Sequence, residues 1–189
     1  MSHDPIFPPI NFAQVDYDIY RSALPTSVNF PFLLSLRLRT VVLLSEECPE
    51  AFIEFIDRCG INLVVVQNVN AHTHAKWSPV AEEMVTRSLD VVLKKENLPV
   101  LICCKLGKSF TGVVIGCLRK LQRWSLISIV EEYRRFAGSR QQQQHEQFIE
   151  LFDTDLVAHH LIFQMEPHRE TQKFVSFDEN IRKDVKDMT

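Results

Sequence analysis

The chain has 189 residues, of which 46% are hydrophobic and 24% are charged, and its formal net charge is −3. This size and composition predict one globular domain with at most a short appendage. No apolar run approaches the ~18 residues of a membrane-spanning helix, and no secretory signal is visible at the N-terminus. The slight acidity argues against wholesale binding to nucleic acid or to anionic membranes. We therefore expect a cytoplasmic protein without a nucleic-acid or membrane partner.

The elements predicted along the chain alternate between strands and helices. Prolines at positions 5, 8 and 9 predict an extended arm over residues 1–16. Apolar runs of strand length occupy residues 19–22, 40–44, 61–66 and 100–103. Helical spacing, caps and breakers predict helices over residues 30–36, 49–60, 79–96, 111–124, 126–137 and 142–152.

Strands that are apolar on both faces and alternate with helices are typical of the α/β class. They predict a mostly parallel central sheet of four to five strands flanked by helices. We place this domain at residues 17–153, after the arm at 1–16 and before a C-terminal extension at 154–189. From residue 164 onward 11 of 26 residues are charged, so we expect this extension to be disordered or docked on a partner.

The five cysteines, at positions 48, 59, 103, 104 and 117, are odd in number. Their spacing matches neither a disulfide framework nor a pair of zinc-binding C-x-x-C knuckles. We expect reduced thiols, as is usual in the cytosol or nucleus. The sequence predicts no metal site and no cofactor.

The candidate functional residues lie in the stretch at 100–112, VLICCKLGKSFTG. A buried strand ends at Cys103, a tight loop follows, and a helix begins near Thr111. At this edge of a parallel sheet, the amides and dipole of the next helix favour an anion or a thiolate, and Cys104 stands there. A Walker A loop is excluded, because that motif needs a glycine where Ile102 stands. The remaining interpretation is a cysteine-phosphatase loop, in which Cys, five residues and Arg precede a Ser or Thr.

The sequence resembles the plant and fungal atypical dual-specificity phosphatases over about residues 8–153. This family includes the fungal oxidant-induced cell-cycle arrest (OCA) proteins, which are tyrosine phosphatase-like. The resemblance is carried outside the loop by several blocks in order, among them Tyr20-Arg-Ser22, Leu118-Arg-Lys-Leu-Gln122, Trp124-Ser-Leu126 and Glu132-Tyr-Arg-Arg-Phe136. It implies a cysteine-phosphatase fold, with inositol pyrophosphates or phosphotyrosine as substrate classes. It further implies paralogous family members as partners in a hetero-oligomer, and a role in oxidative-stress and cell-cycle signalling.

The family loop reads His-Cys-x-Arg-Gly-Lys-x-Arg-Thr-Gly. By resemblance, Cys104 holds the nucleophile position and Thr111 the position that helps the thiolate leave. The phosphate-binding loop then consists of Cys104, Lys105, Leu106, Gly107, Lys108, Ser109 and Phe110. Three positions depart from the family motif, because Cys103 replaces the histidine and Leu106 and Phe110 replace the two arginines.

Phe110 is the departure with the largest expected effect. The arginine would make two charge-assisted bonds to the transferring phosphoryl group, and a phenyl ring makes none. Losing one preorganised donor typically costs about 10²–10³ in rate. Lys105 and Lys108 have two open interpretations, as anion ligands or as solvated surface.

A general acid is also missing from its usual place. The loop at 67–78 has no Asp or Glu and offers only His72, His74 and Lys76. His72 could protonate a leaving oxygen, although a solvated loop histidine is the favoured interpretation. A metal pair of His72 and His74 is weaker still, since no third ligand is suggested.

The sequence thus favours a pseudophosphatase that acts as a binding or scaffold subunit, with a phosphorylated or polyphosphate ligand as one option. The alternative is an active or residual cysteine phosphatase on inositol pyrophosphates or phosphotyrosine. A weaker alternative is a redox sensor that uses Cys104. An inert buried Cys104 thiol also stays open, and a Cys103–Cys104 disulfide is disfavoured because adjacent cysteines bridge only with strain.

Overall fold

The computed structural model describes residues 6–67, 82–138 and 143–157, which contain one five-stranded sheet. Its strands lie in the order β1-β2-β5-β3-β4. Neighbouring strands run parallel except for β1, which is antiparallel to β2. The strands are β1 Ala13–Asp16, β2 Ile19–Ala23, β3 Thr40–Leu43, β4 Asn62–Val65 and β5 Val100–Cys104. The predicted α/β fold class, with its mostly parallel sheet, is confirmed.

Helices cover both faces of this sheet. They are α1 Phe30–Ser35, α2 Glu50–Cys59, α3 Glu82–Val92, α4 Ser109–Leu121, α5 Leu126–Ala137 and α6 Gln143–Leu151. The caps expected from the sequence are present: Gly60 ends α2 in the left-handed region at φ 64°, and the Ser125 side chain accepts a hydrogen bond from the Ser128 amide. The predicted start of α3 at residue 79 lies outside the described residues.

Two predictions about the sheet need correction. The last four residues of the predicted arm, Ala13–Asp16, form β1 and pair with β2, so the sheet begins before residue 17. The run at 61–66 does form a strand, but β4 lies at the edge of the sheet and Val65 is 40% exposed. An apolar run cannot reveal which strand will be the outermost one. The domain limit at residue 153 stays a prediction.

The alternation of side chains along β5 places adjacent residues in different cores. Leu101 and Cys103 pack with α1 and α2, whereas Ile102 and Cys104 pack with α3, α4, α5 and α6. Among these elements α4 is buried nearly all round, as its sequence predicted. Cys104 therefore sits at the C-terminal edge of the sheet, on the face that α4 covers.

Lys120, at the end of α4, joins that helix to the C-terminus of α6. Its ammonium donates to the carbonyl oxygens of Ile149, Glu150 and Phe152 at the C-terminus of α6. A cation at the negative end of a helix stabilises that end. No helix among the described residues is long and apolar enough to cross a bilayer.

Candidate functional site

The loop that follows β5 turns sharply against the neighbouring strand β2. Gly107 has φ +65°, and a Cβ on it would lie 2.6 Å from the Ser22 carbonyl oxygen. Only glycine combines this backbone conformation with so close an approach. The Gly107 amide donates to the Cys104 carbonyl over 3.1 Å, which closes the turn. The local sequence therefore holds the loop tightly at the edge of the sheet.

Arg21 supports the loop from inside the protein. It is 1% exposed, and its Nη2 donates to the Gly107 carbonyl oxygen over 2.9 Å. Its guanidinium lies 3.7 Å from the centre of the Phe136 ring, while Nε and Nη1 have no hydrogen-bond partner among the described residues. Burial lowers the pKa of Arg21 to about 10, and Glu132 and Cys104 oppose that shift. Arg21 is thus a buried cation directly beneath the loop.

A pocket of about 340 Å³ opens beside the loop. Cys104 is 5% exposed and forms part of its lining. The lining has apolar, polar and charged members: Leu44, Leu106 and Phe110; Ser45, Ser109 and Cys104; Glu46, Glu47 and Lys105. The structure therefore brings five of the predicted loop residues together around one cavity.

Phe110 forms a wall of this pocket at the first turn of α4. Its ring centre lies 6.1 Å from that of His145 on α6. His145 is 4% exposed and its Nδ1 lies 2.9 Å from the Tyr133 hydroxyl. Burial lowers the pKa of His145 to about 4, so the imidazole behind Phe110 is neutral at neutral pH. The phenyl ring is thus fixed between the cavity and an uncharged, buried pair of side chains.

Lys108, Thr111 and Cys103 are not among the residues that line the cavity. Lys108 reaches the C-terminus of α5, where its Nζ lies 3.7 Å from the position that a Cβ on Gly138 would take. Thr111 is fully buried, and its Oγ1 has no hydrogen-bond partner among the described residues. Cys103 lies in the opposite core, where burial strongly raises the pKa of its thiol. This placement makes Cys103 a poor redox partner for Cys104, and both thiols are free.

Sequence reasoning missed Glu46 and Glu47, which follow β3 and line the mouth of the pocket. A signal was available, since β3 lies next to β5 and both strands end at the same edge of the sheet. The candidate acid His72, together with His74 and Lys76, lies outside the described residues. Within residues 6–67, 82–138 and 143–157, no group of three or more His, Cys, Asp or Glu could hold a metal.

Arg21 was noted only as part of a family block, and its support of the loop was not predicted. The available signal was a charged residue in the middle of the predicted strand at 19–22. Chemically, the site offers one thiol, loop amides at the start of α4 and an ammonium from Lys105. It also offers carboxylates at the mouth and a largely apolar wall.

Comparison with known proteins places this geometry in context. The model of the tyrosine phosphatase family matches residues 6–168. An OCA1 protein of Mycosarcoma maydis is 44% identical over 80% of this chain and 96% of its own length. The Oryza sativa protein named inositol diphosphatase DSP1 is 46% identical over 82% of this chain and 69% of its own.

A solved structure shows the same fold. The crystal structure of the core catalytic domain of the PP-IP phosphatase SIW14 from S. cerevisiae, in complex with citrate, superposes with a TM-score of 0.77. It is 37% identical and covers 85% of this chain and 96% of that one. The resemblance stated from the sequence is thereby confirmed.

Proposed function

The chain belongs to the tyrosine phosphatase family, and we propose that within it the protein is a pseudophosphatase, a cytoplasmic binding or scaffold subunit. The observation that carries this proposal is the Phe110 ring in the wall of the pocket. A guanidinium at that place would grip the equatorial oxygens of a phosphoryl group through two charge-assisted hydrogen bonds. The phenyl ring supplies neither charge nor donors.

The remaining charges around the cavity do not replace the lost cation. Among the described lining residues Lys105 is the only cation, and Glu46 and Glu47 are anions. Arg21 is a second cation nearby, but its Nη2 is bound to the Gly107 carbonyl beneath the loop. A flexible ammonium acts as a point charge and cannot reproduce the planar fork of arginine. The transition state of phosphoryl transfer would therefore lack its main electrostatic partner.

Phosphate release by the purified full chain tests the proposal. We expect no release above background, by malachite green detection, from a phosphotyrosine peptide or from an inositol pyrophosphate. Cys104→Ser is the control, because any genuine cysteine-dependent turnover would vanish in that variant. Turnover at an ordinary enzymatic rate that Cys104→Ser abolishes would refute the proposal.

A gain-of-function variant tests whether the two arginines of the family motif are all that the site lacks for catalysis. The double substitution Leu106→Arg and Phe110→Arg restores both arginines of the family motif while the other residues of the loop keep their identities. We expect phosphate release to rise by about 10²-fold or more, which is the effect of one or two preorganised donors. A folded double variant with no activity would show that the site has lost more than its two arginines.

A residual cysteine phosphatase activity is the second candidate, and two observations favour it. The loop keeps its closed turn at Gly107, and the buried Thr111 hydroxyl is left without a partner in the described part of the chain. Glu46 and Glu47 could also supply a proton to a leaving oxygen at the mouth of the pocket. If the unmodified chain releases phosphate, Glu46→Gln and Glu47→Gln should lower the rate and change its pH profile.

As a scaffold the protein would act through partners. Family resemblance favours paralogous chains as those partners, and size-exclusion chromatography of co-expressed chains would show such a hetero-oligomer. A role in oxidative-stress or cell-cycle signalling is proposed on the same resemblance. If the protein acts there as a scaffold, deletion of its gene should give a phenotype that the Cys104→Ser variant does not give, because a scaffold does not depend on the thiol.

A further inference from the structure

We infer that Asn11, on the arm that precedes β1, is a positioning residue for the Cys104 loop and fixes the loop amides that a bound anion would contact. Its Nδ2 donates to the carbonyl oxygen of Leu106 over 2.8 Å, across 95 residues of chain. Leu106 itself lines the pocket. The inference goes beyond the proposed function, because a bound phosphoryl group needs the same loop geometry whether or not it is hydrolysed.

The backbone around Asn11 holds its side chain in place. The Ile10 carbonyl oxygen accepts a hydrogen bond from the Ala23 amide over 2.7 Å, and Ala23 is the β2 residue that pairs with Cys104. Asn11 itself has φ 55°, a left-handed conformation that asparagine adopts more readily than most residues. One position of the arm thus combines this backbone conformation with an amide donor aimed at the loop.

Asn11 acts through the peptide group that joins Leu106 to Gly107. The oxygen and the N–H of a trans peptide group point in opposite directions. Asn11 holds the oxygen of this group at the surface, and the N–H of the group donates to the Cys104 carbonyl oxygen over 3.1 Å, which closes the turn. Without the Asn11 bond, the turn bond is the one hydrogen bond left on this group in the described part of the chain. Glycine at its far end then gives the group freedom to rotate.

The next peptide group, between Gly107 and Lys108, is held from the interior. Arg21 is 1% exposed and donates to the oxygen of this group over 2.9 Å, so the Lys108 N–H points away from Arg21. The amides of Lys108 and Ser109 have no hydrogen-bond acceptor within the described residues, and they lie at the start of α4, where the helix dipole favours a negative charge. The two peptide groups meet at Gly107, so freedom in the first is transmitted to the second. The Asn11 bond therefore helps to set the direction in which the loop offers its amides.

Titration of inorganic phosphate into the ¹⁵N-labelled full chain tests the inference by NMR. In the unmodified chain we expect the Lys108 and Ser109 amide resonances to move with phosphate concentration. Asn11→Gly keeps φ 55° without strain and removes the donor. It should shift the Gly107 amide resonance in the absence of phosphate, and it should weaken phosphate affinity about fivefold or more, which is the effect of one hydrogen bond. Asn11→Asp, whose carboxylate cannot donate, should weaken the affinity at least as much.

Asn29→Ala is the matched control, because Asn29 Nδ2 holds the same arm at the Phe7 carbonyl oxygen over 3.2 Å but makes no hydrogen bond to the loop. It should leave phosphate affinity unchanged. Urea unfolding of each variant separates the two roles, since a purely structural asparagine would change the free energy of unfolding and leave the affinity of the folded chain as it was.

Three results would overturn the inference: no response of the loop amides to phosphate in the unmodified chain, unchanged affinity in Asn11→Gly and Asn11→Asp, or an equal loss of affinity in Asn29→Ala. Phosphate release from a phosphotyrosine peptide is measured on the same samples. Turnover of that peptide refutes the proposed function and leaves this inference standing, whereas unchanged affinity in both Asn11 variants refutes only this inference.

Discussion

Replacing His145 with glutamine should remove the part of the domain's acid sensitivity that comes from this buried imidazole. The imidazole is 4% exposed and lies between Phe110 and Tyr133, with its Nδ1 2.9 Å from the tyrosine hydroxyl. Burial lowers the pKa of His145 to about 4 and raises that of Tyr133 to about 12. The tyrosine therefore stays protonated and shares a hydrogen bond with the Nδ1 of a neutral imidazole. Glutamine offers an acceptor for the same hydroxyl but does not titrate.

The magnitude follows from the difference between the pKa of His145 in the folded and unfolded states. The unfolded value is about 6.5, so the unfolded chain takes up a proton first as the pH falls. Stability is full above about pH 6.5, declines below it, and levels off below about pH 4. The complete loss is about 3.4 kcal/mol, for about 2.5 units at about 1.36 kcal/mol each. At about pH 5 the loss is about 2 kcal/mol.

Urea unfolding at about pH 7.5 and about pH 5 measures this loss. The unmodified chain should lose about 2 kcal/mol more than His145→Gln between the two conditions. Titration of every other group cancels in this comparison. Tyr133→Phe is the matched control: it removes the hydrogen bond but keeps the burial, so its acid sensitivity should persist. Equal losses in the unmodified chain and in His145→Gln would refute the reasoning.

Three further predictions concern stability and are measured by urea or thermal unfolding. Gly107→Ala should cost about 3 kcal/mol or more, because a Cβ at φ +65° would strike the β2 backbone; a stable variant would contradict the tight turn. Gly116→Ala should cost about 1–3 kcal/mol, because its Cβ would lie 2.6 Å from Ile149 Cδ1. That cost should shrink in an Ile149→Val background, and an unchanged cost would show that the contact is not the cause. Ser125→Ala should cost about 1 kcal/mol by removing the cap of α5, and no loss would mean that water replaces the cap.

The fold was predictable because its signals are local. The run at 40–44 is apolar on both faces, and Gly60 and Ser125 mark helix ends through their own backbone and side-chain preferences. The loop at 104–111 was predictable for the same reason, since a strand, a glycine turn and a helix start follow one another directly. Each of these features depends on a few neighbouring residues.

Features that depend on tertiary neighbours were not predictable in the same way. The edge position of β4 follows from sheet order, which a single apolar run does not encode. Glu46 lines the pocket because it follows β3, which pairs with β5. The Lys108 ammonium lies instead beside Gly138, at the C-terminus of α5. The two lysines of the loop look equivalent in the sequence. Packing alone separates Lys105, at the cavity, from Lys108, at the helix end.

The loop can lose its arginines and keep its shape because different residues control the two properties. Gly107 and Arg21 hold the backbone from the interior, through a turn against β2 and a bond to the loop carbonyl. Leu106 and Phe110 point to the cavity, where they determine what is bound. A substitution of the exposed Leu106 therefore changes the chemistry of the pocket at little cost to the fold, whereas Phe110 also packs against the core, so its substitution removes some apolar packing as well. Substitution of Gly107 or Arg21 would instead disturb the backbone on which the binding of any ligand in this pocket depends.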